Sequence, residues 1–243
     1  MRIAILSDVH GNLPAFEAVM GDVEDQSVEE VWCLGDLVGY GAQPDECVQF
    51  ARDRCDMSLA GNHDLVVTGD IPISDFSASA AAAARWTQET ISEETMAYLK
   101  GLEPADPGRE PALFHASPRD PVWEYVVSTL LAELCLDAAP ERVSLVGHSH
   151  VALSFVRPDG EAATGEPRRG GDALDLSRGE WLVNPGSVGQ PRDGDPRAAW
   201  MLLDTEAWRA EWRRVEYDIK GAAAAIRAAR LPDSLAERLQ YGQ

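Results

Sequence analysis

The chain has 243 residues, enough to bury a sizeable core in one large domain or two small ones. Its formal net charge of -20 argues against long nucleic acid and anionic membrane, which both want a basic face. A small phosphorylated substrate stays possible, because bound metal ions reverse the local potential.

Residues 2–7 read as a short, fully buried strand, and Asp8-Val9-His10-Gly11-Asn12 as the loop after it. Leu13 to Glu24 carries apolar residues on one helical face, with Asn12 as N-cap and Pro14 in the first turn. Val31 to Leu34 is a second apolar run, leading into Gly35-Asp36; Pro44 opens a helix to Arg54. Met57 to Ala60 is a third strand, followed by Gly61-Asn62-His63-Asp64, a turn signal when taken alone. This alternation argues for β-α-β units with parallel strands. Ser74 to Thr90 and Thr90 to Gly101 read as helices, and Glu103 to Pro111, with three prolines, as a loop. Ala112 to Phe114 delivers His115; 128–138 is helical; Val143 to Val146 delivers Gly147-His148-Ser149-His150. Beyond residue 150, strands are expected at 151–156, 181–183, 199–203 and 208–215, with Arg157 to Arg178 a solvent-facing excursion and helices at 219–229 and 233–241. Two mixed β-sheets packed face to face with helices outside, in one domain over 1–243, follow from this order. The apolar run Ile3-Ala4-Ile5-Leu6 is too short for a leader, and Ala80 to Ala84 too short to span a bilayer, so a soluble, cytoplasmic protein is expected. Cys33, Cys47, Cys55 and Cys135 form no C-x-x-C pair and read as buried free thiols.

All five histidines fall in segments of one kind, an apolar run followed by Asp, Asn, His and Gly. Asp8, His10, Asp36, Asn62, His63, His115, His148 and His150 offer more donors than one ion needs, so two ions are expected. Oxygen and imidazole donors suit manganese, iron or zinc, and the lack of thiolate argues against a zinc finger. Asp36, alone in its segment, is the natural bridging carboxylate. The i, i+2 spacing in Asp8-Val9-His10 and His148-Ser149-His150 either turns both side chains to one side or, if the loop bends, gives one to each ion.

The order Asp-x-His, Gly-Asp, Gly-Asn-His-Asp, a lone His and Gly-His-Ser-His resembles the calcineurin-like metallophosphoesterase superfamily. The turn Asn184-Pro185-Gly186-Ser187 also fits its small bacterial and archaeal phosphodiesterases. The resemblance implies a four-layer α-β-β-α sandwich and two di- or trivalent ions, manganese first, with iron, zinc or nickel as alternatives. It allots Asp8, His10 and His150 to one ion and Asn62, His115 and His148 to the other, with Asp36 bridging and a metal-bound hydroxide attacking phosphorus. His63 then protonates the leaving oxygen or stabilises the transition state, and Asp64 either orients His63 or caps the next turn. Phosphatases of the superfamily continue the second motif as Gly-Asp-x-x-x-Arg-Gly; here Tyr40 stands where the phosphate-gripping Arg would be, and Gly39 where the Asp supporting the catalytic His often stands. Phosphate must then be held by the metals, by Asn62 or by an arginine from elsewhere, for which Arg119 and Arg192, in loops after motif strands, are the candidates. A phosphodiester or small phosphorylated metabolite is therefore the expected substrate. A protein or dinucleoside polyphosphate phosphatase is the alternative, and a non-catalytic scaffold the alternative of another class. The oligomeric state is left open.

Overall fold

The computed structural model describes residues 1–243. Its first part alternates β1 (Arg2–Leu6), α1 (Leu13–Glu24), β2 (Glu30–Cys33), α2 (Pro44–Arg54) and β3 (Met57–Ser58), followed by α3 (Asn62–Thr68), α4 (Ala78–Thr90) and α5 (Glu93–Leu99). Next come β4 (Ala105–Asp106), β5 (Ala112–Phe114), α6 (Thr129–Ala138), β6 (Val143–Leu145) and β7 (Leu153–Arg157). The chain then runs through β8 (Thr164–Pro167), β9 (Ala173–Asp175), β10 (Glu180–Asn184), β11 (Ala198–Asp204) and β12 (Arg209–Val215) to α7 (Ile219–Ala228) and α8 (Asp233–Glu237). The helix starts follow local chemistry. The side chains of Asn12, Ser92, Ser128 and Asp218 each accept a backbone N–H from the first turn of α1, α5, α6 and α7.

The strands form two six-stranded mixed sheets, ordered β3-β2-β1-β11-β12-β9 and β4-β5-β6-β10-β7-β8. In the first, β1 pairs in parallel with β2 and antiparallel with β11; in the second, β6 lies in parallel between β5 and β10. Alternation along β1 shows how the layers are built. Ile3 and Ile5 pack with Leu113, Leu145 and Val183 of the second sheet, so the inner faces meet. Ala4 and Leu6 point the other way, into a cluster with Phe16, Val19 and Val48 of α1 and α2. The second sheet's outer face is covered by α6, whose Ala132, Cys135 and Leu136 pack with Phe114, Phe155 and Leu182. Helices therefore flank both sheets, in the α-β-β-α arrangement expected from the sequence. No helix is long and apolar enough to cross a membrane. All four cysteines are free, with Cys55 only half-buried.

Three expectations are corrected. Asn62-His63-Asp64 is the first turn of α3, with Gly61 as its N-cap. The proline-rich loop 103–111 contains β4, which pairs antiparallel with β5. The excursion 157–178 supplies an edge strand to each sheet, β8 against β7 and β9 against β12. Edge strands bond on one side only, and residues 164–167 are exposed throughout, so no buried alternation marks them in the sequence.

Candidate metal centre

The site forms where the parallel strands β1, β2, β3, β5 and β6 end. Loops after β1 and β2 are laced together by Asp8 N–H to Gly35 O (3.0 Å), His10 N–H to Asp36 O (2.9 Å) and Gly11 N–H to Leu37 O (2.9 Å). The Asn184–Gln190 turn braces the other side. Ser187 Oγ donates to Asp8 O (2.8 Å), and Asn184 Nδ2 donates to Gly147 O (2.7 Å) and Ser149 Oγ (3.1 Å). Asp8, His10, Asp36, Tyr40, His148 and His150 all sit at φ between 53° and 61°. Left-handed backbone costs non-glycine residues about 1–3 kcal/mol each, and Asp and His tolerate it better than most. The close packing of the loops sets two glycines: a Cβ on Gly61 would overlap the Asp36 carboxylate, and one on Gly39 the His63 ring.

Two clusters of buried donors result. Asp8, His10, Asp36 and His150 form one; Asp36, His115 and His148 form the other; within each, the ligand atoms lie within 4.8 Å of one another. Asp36 belongs to both. Its Oδ1 accepts the His63 backbone N–H (2.8 Å), which leaves Oδ2 3.5 Å from His10 Nε2 and 3.6 Å from His115 Nε2. Asn62 Oδ1 lies 3.2 Å from His115 Nε2, at the edge of the second cluster. The pair Asp8 and His10 shares a cluster, whereas the loop bend sends His148 and His150 to different ones.

Three rings are fixed by backbone carbonyls: His10 Nδ1 on Val38 O (3.1 Å), His115 Nδ1 on Leu34 O (2.8 Å) and His150 Nδ1 on Gln190 O (2.7 Å). A carbonyl only accepts, so this geometry assigns the proton to each Nδ1 and leaves a lone pair on each Nε2. His10 Nε2 and His150 Nε2 then face each other at 3.0 Å with no proton between them. Asp8 Oδ1, Asp36 Oδ2 and His148 Nε2 are buried without any hydrogen-bond partner. Inward-facing lone pairs and unpaired carboxylate oxygens in a buried pocket are what a cation satisfies, so the donor set fits divalent metal. The electrostatics agree. Burial pushes the Asp8 carboxyl up to about 7, and burial beside Asp64 raises that of Asp36. Burial also holds the imidazoles of His10, His148 and His150 well below their ordinary value.

His63 lines the cleft over these clusters. Burial first, then the charges of Arg192 and His115, press its imidazole down to about 3. Its Nδ1 is buried without a partner.

The match to known proteins follows the same layout. The Calcineurin-like phosphoesterase superfamily domain matches residues 1–207. The chain belongs to this superfamily. It is 40% identical to a metallophosphoesterase from Sphaerobacter thermophilus whose crystal structure superposes with a TM-score of 0.89, covering 100% of this chain and 99% of that one. An uncharacterized Methanocaldococcus jannaschii protein is 38% identical over 99% of this chain and 98% of its own length. A symmetrical bis(5'-nucleosyl)-tetraphosphatase from Actinobacillus pleuropneumoniae is 34% identical, over only 27% of this chain and 25% of its own length.

Against the superfamily pattern, the remaining predicted residues divide. Arg192 lines the cleft, and its guanidinium donates to Tyr40 Oη (3.3 Å) and Gln190 Oε1 (3.0 Å). Arg119 does not reach the cleft; it pairs with Glu124 at 3.3 Å. Asp64 caps and does not orient His63. Its carboxylate accepts from the N–H groups of Gly61 (2.8 Å), Asp36 (2.8 Å), Val38 (3.1 Å) and Leu37 (3.3 Å), and makes no hydrogen bond to the imidazole. Gly39 shows why no side chain supports His63 from that position, since the ring already fills the space a Cβ would need. Sequence reasoning missed Phe76, Trp123 and Tyr125, which also line the cleft. Their segments lie between motifs and carry no metal-ligand pattern, so only the fold brings them in.

Proposed function

We propose that the chain is a dinuclear-metal phosphoesterase that hydrolyses a phosphodiester or another small phosphorylated metabolite. The observation that carries this reading is the sharing of Asp36 between two buried donor clusters whose other members have unpaired lone pairs turned inward. Asp8, His10 and His150 would hold one ion, Asn62, His115 and His148 the other, and Asp36 both. When bound, such ions supply Lewis acidity toward phosphoryl oxygens and an acidified water. The chain's own residues do the rest. His63 is held neutral, so it offers the leaving oxygen a hydrogen bond from a ring N–H. Arg192, steadied by Tyr40 and Gln190, supplies the fixed positive charge that superfamily phosphatases take from the arginine of their second motif. Backbone laced around Asp8, Asp36 and His150 keeps these groups from moving as charge develops.

The dinucleoside tetraphosphatase reading has the short match in its favour and the replacement of that arginine by Tyr40 against it. Hydrolysis of bis-p-nitrophenyl phosphate and p-nitrophenyl phosphate with added manganese tests the proposal. Turnover of the diester above the monoester is expected. No turnover of either, with metal shown bound by elemental analysis, would sink it.

A further inference from the structure

The cleft above Asp36 has a volume of about 250 Å³, and beyond the metal donors and His63 half of its lining residues are aromatic: Tyr40, Phe76, Trp123 and Tyr125. Phe76 meets the His63 ring edge-on, with centroids 5.0 Å apart and planes at 80°. Trp123 continues the wall, 5.2 Å from Phe76 at 61°. Tyr125 lies 4.0 Å from the His148 ring and remains 45% exposed. Together these rings give the cleft mouth a flat aromatic wall beside its polar donors, the usual make-up of a small-molecule site.

The wall is also fixed in place. Phe76 N–H closes the 3₁₀ turn on Ile73 O, and Trp123 N–H donates to Asp120 Oδ1 at 3.1 Å. Glu124, between the two aromatic residues, takes Ser117 Oγ–H at 2.6 Å and Cys135 Sγ–H at 3.3 Å, and pairs with Arg119. These bonds fix the backbone that carries the rings, so less ordering is needed when a ligand stacks on them. Position gives the wall its meaning. It runs outward from His63, the group that serves the leaving oxygen, so it meets whatever that oxygen carries.

We infer that the cleft takes phosphoesters whose alcohol part bears a flat aromatic group, seated on Phe76, Trp123 and Tyr125. This rests on the phosphoesterase reading above. Two sources share that chemistry, a nucleobase and a plain aryl ring. The exposed carboxylate of Asp75, also on the lining, is an acceptor for the exocyclic amine of a base, and a plain aryl ring has no use for it.

The test is calorimetric titration of manganese-loaded protein with AMP, phenyl phosphate and ribose 5-phosphate. At least one ring-bearing ligand is expected to bind about tenfold more tightly than ribose 5-phosphate, the size of one stacked base. Trp123→Leu and Phe76→Leu, which keep apolar bulk and remove the ring, are each expected to shrink that advantage to about threefold or less by the same reckoning, with ribose 5-phosphate binding unchanged. AMP above phenyl phosphate, with the gap lost in Asp75→Ala, supports the nucleobase; equal binding of the two supports any aryl group. Equal affinity for all three ligands overturns the inference, as does an advantage unchanged in both ring variants. That result leaves the phosphoesterase reading standing, because ribose 5-phosphate still binds. If none of the three binds and bis-p-nitrophenyl phosphate is not cleaved, the reading beneath it fails instead.

Discussion

At the scale of single residues, the donor set divides by what the rest of each side chain already does. Asp36 spends one oxygen on the His63 N–H and turns the other toward both clusters. Removing it should cost metal and chemistry together: Asp36→Ala is expected to hold less than half the wild-type metal by elemental analysis and to show no measurable turnover. His63 contributes a ring to the cleft and no atom to either cluster. His63→Ala should therefore keep the full metal content while losing about 10²–10³ in kcat, the usual worth of a hydrogen-bond donor aimed at developing charge. An emptied metal site in His63→Ala would mean that the roles are assigned wrongly. Every one of these donors could be read from the sequence, because each follows an apolar run in a short polar cluster. The choice between Arg119 and Arg192 could not. Both lie in turn-rich loops, and only the fold shows that Arg119 is committed to Glu124 while Arg192 reaches Tyr40.

At the scale of elements, Gly61-Asn62-His63-Asp64 gains a meaning that turn propensity hid. It starts a helix of seven residues, too short to announce itself by periodicity, and the Asp64 carboxylate accepts the Gly61 N–H at its start. The same carboxylate gathers the loop after β2 through three further N–H groups. Asp64→Ala would leave four buried donors without an acceptor. The metal-free protein should lose about 3 kcal/mol or more, seen as a lower urea midpoint. Were Asp64 chiefly a partner of His63, the variant would instead keep its midpoint and lose only kcat. Gly39→Ala tests the same loop from the other side. It puts a methyl group into the His63 ring at a φ of 89°, and is expected to depress kcat by about tenfold or more even where the fold survives. The edge strands β4, β8 and β9 escape the sequence for a related reason. Two to four residues with one bonded side carry too little pattern to separate them from loops.

At the scale of the whole molecule, two sheets bring five strand ends to one place, and their packing excludes water from a group of acids and imidazoles that ordinary proteins would leave wet. That burial links metal, protons and stability. In the metal-free chain the Asp8 carboxyl lies at about 7, above its unfolded value of 3.8. A raised folded value means that Asp8 favours the folded state fully at low pH, and that this contribution is lost as pH rises toward and through about 7. The histidines run the other way. His63, lowered to about 3 from 6.5, supports the fold above 6.5 and withdraws that support as pH falls toward about 3. Metal needs Asp8 ionised and the imidazoles neutral, which is the state favoured above pH 7. Below that, each bound ion at the Asp8 cluster must displace a proton. Apparent metal affinity is therefore expected to fall about tenfold per pH unit below about 7 and to level off above it. The rise in melting temperature on adding manganese should follow, larger at pH 8 than at pH 6. Calorimetric titration in buffers of different ionisation enthalpy reads the displaced proton directly. More protons should be released per metal pair at pH 6 than at pH 8.5. Equal release at both values would show that Asp8 is already ionised in the metal-free fold, so that its neighbours, and not burial, set its charge.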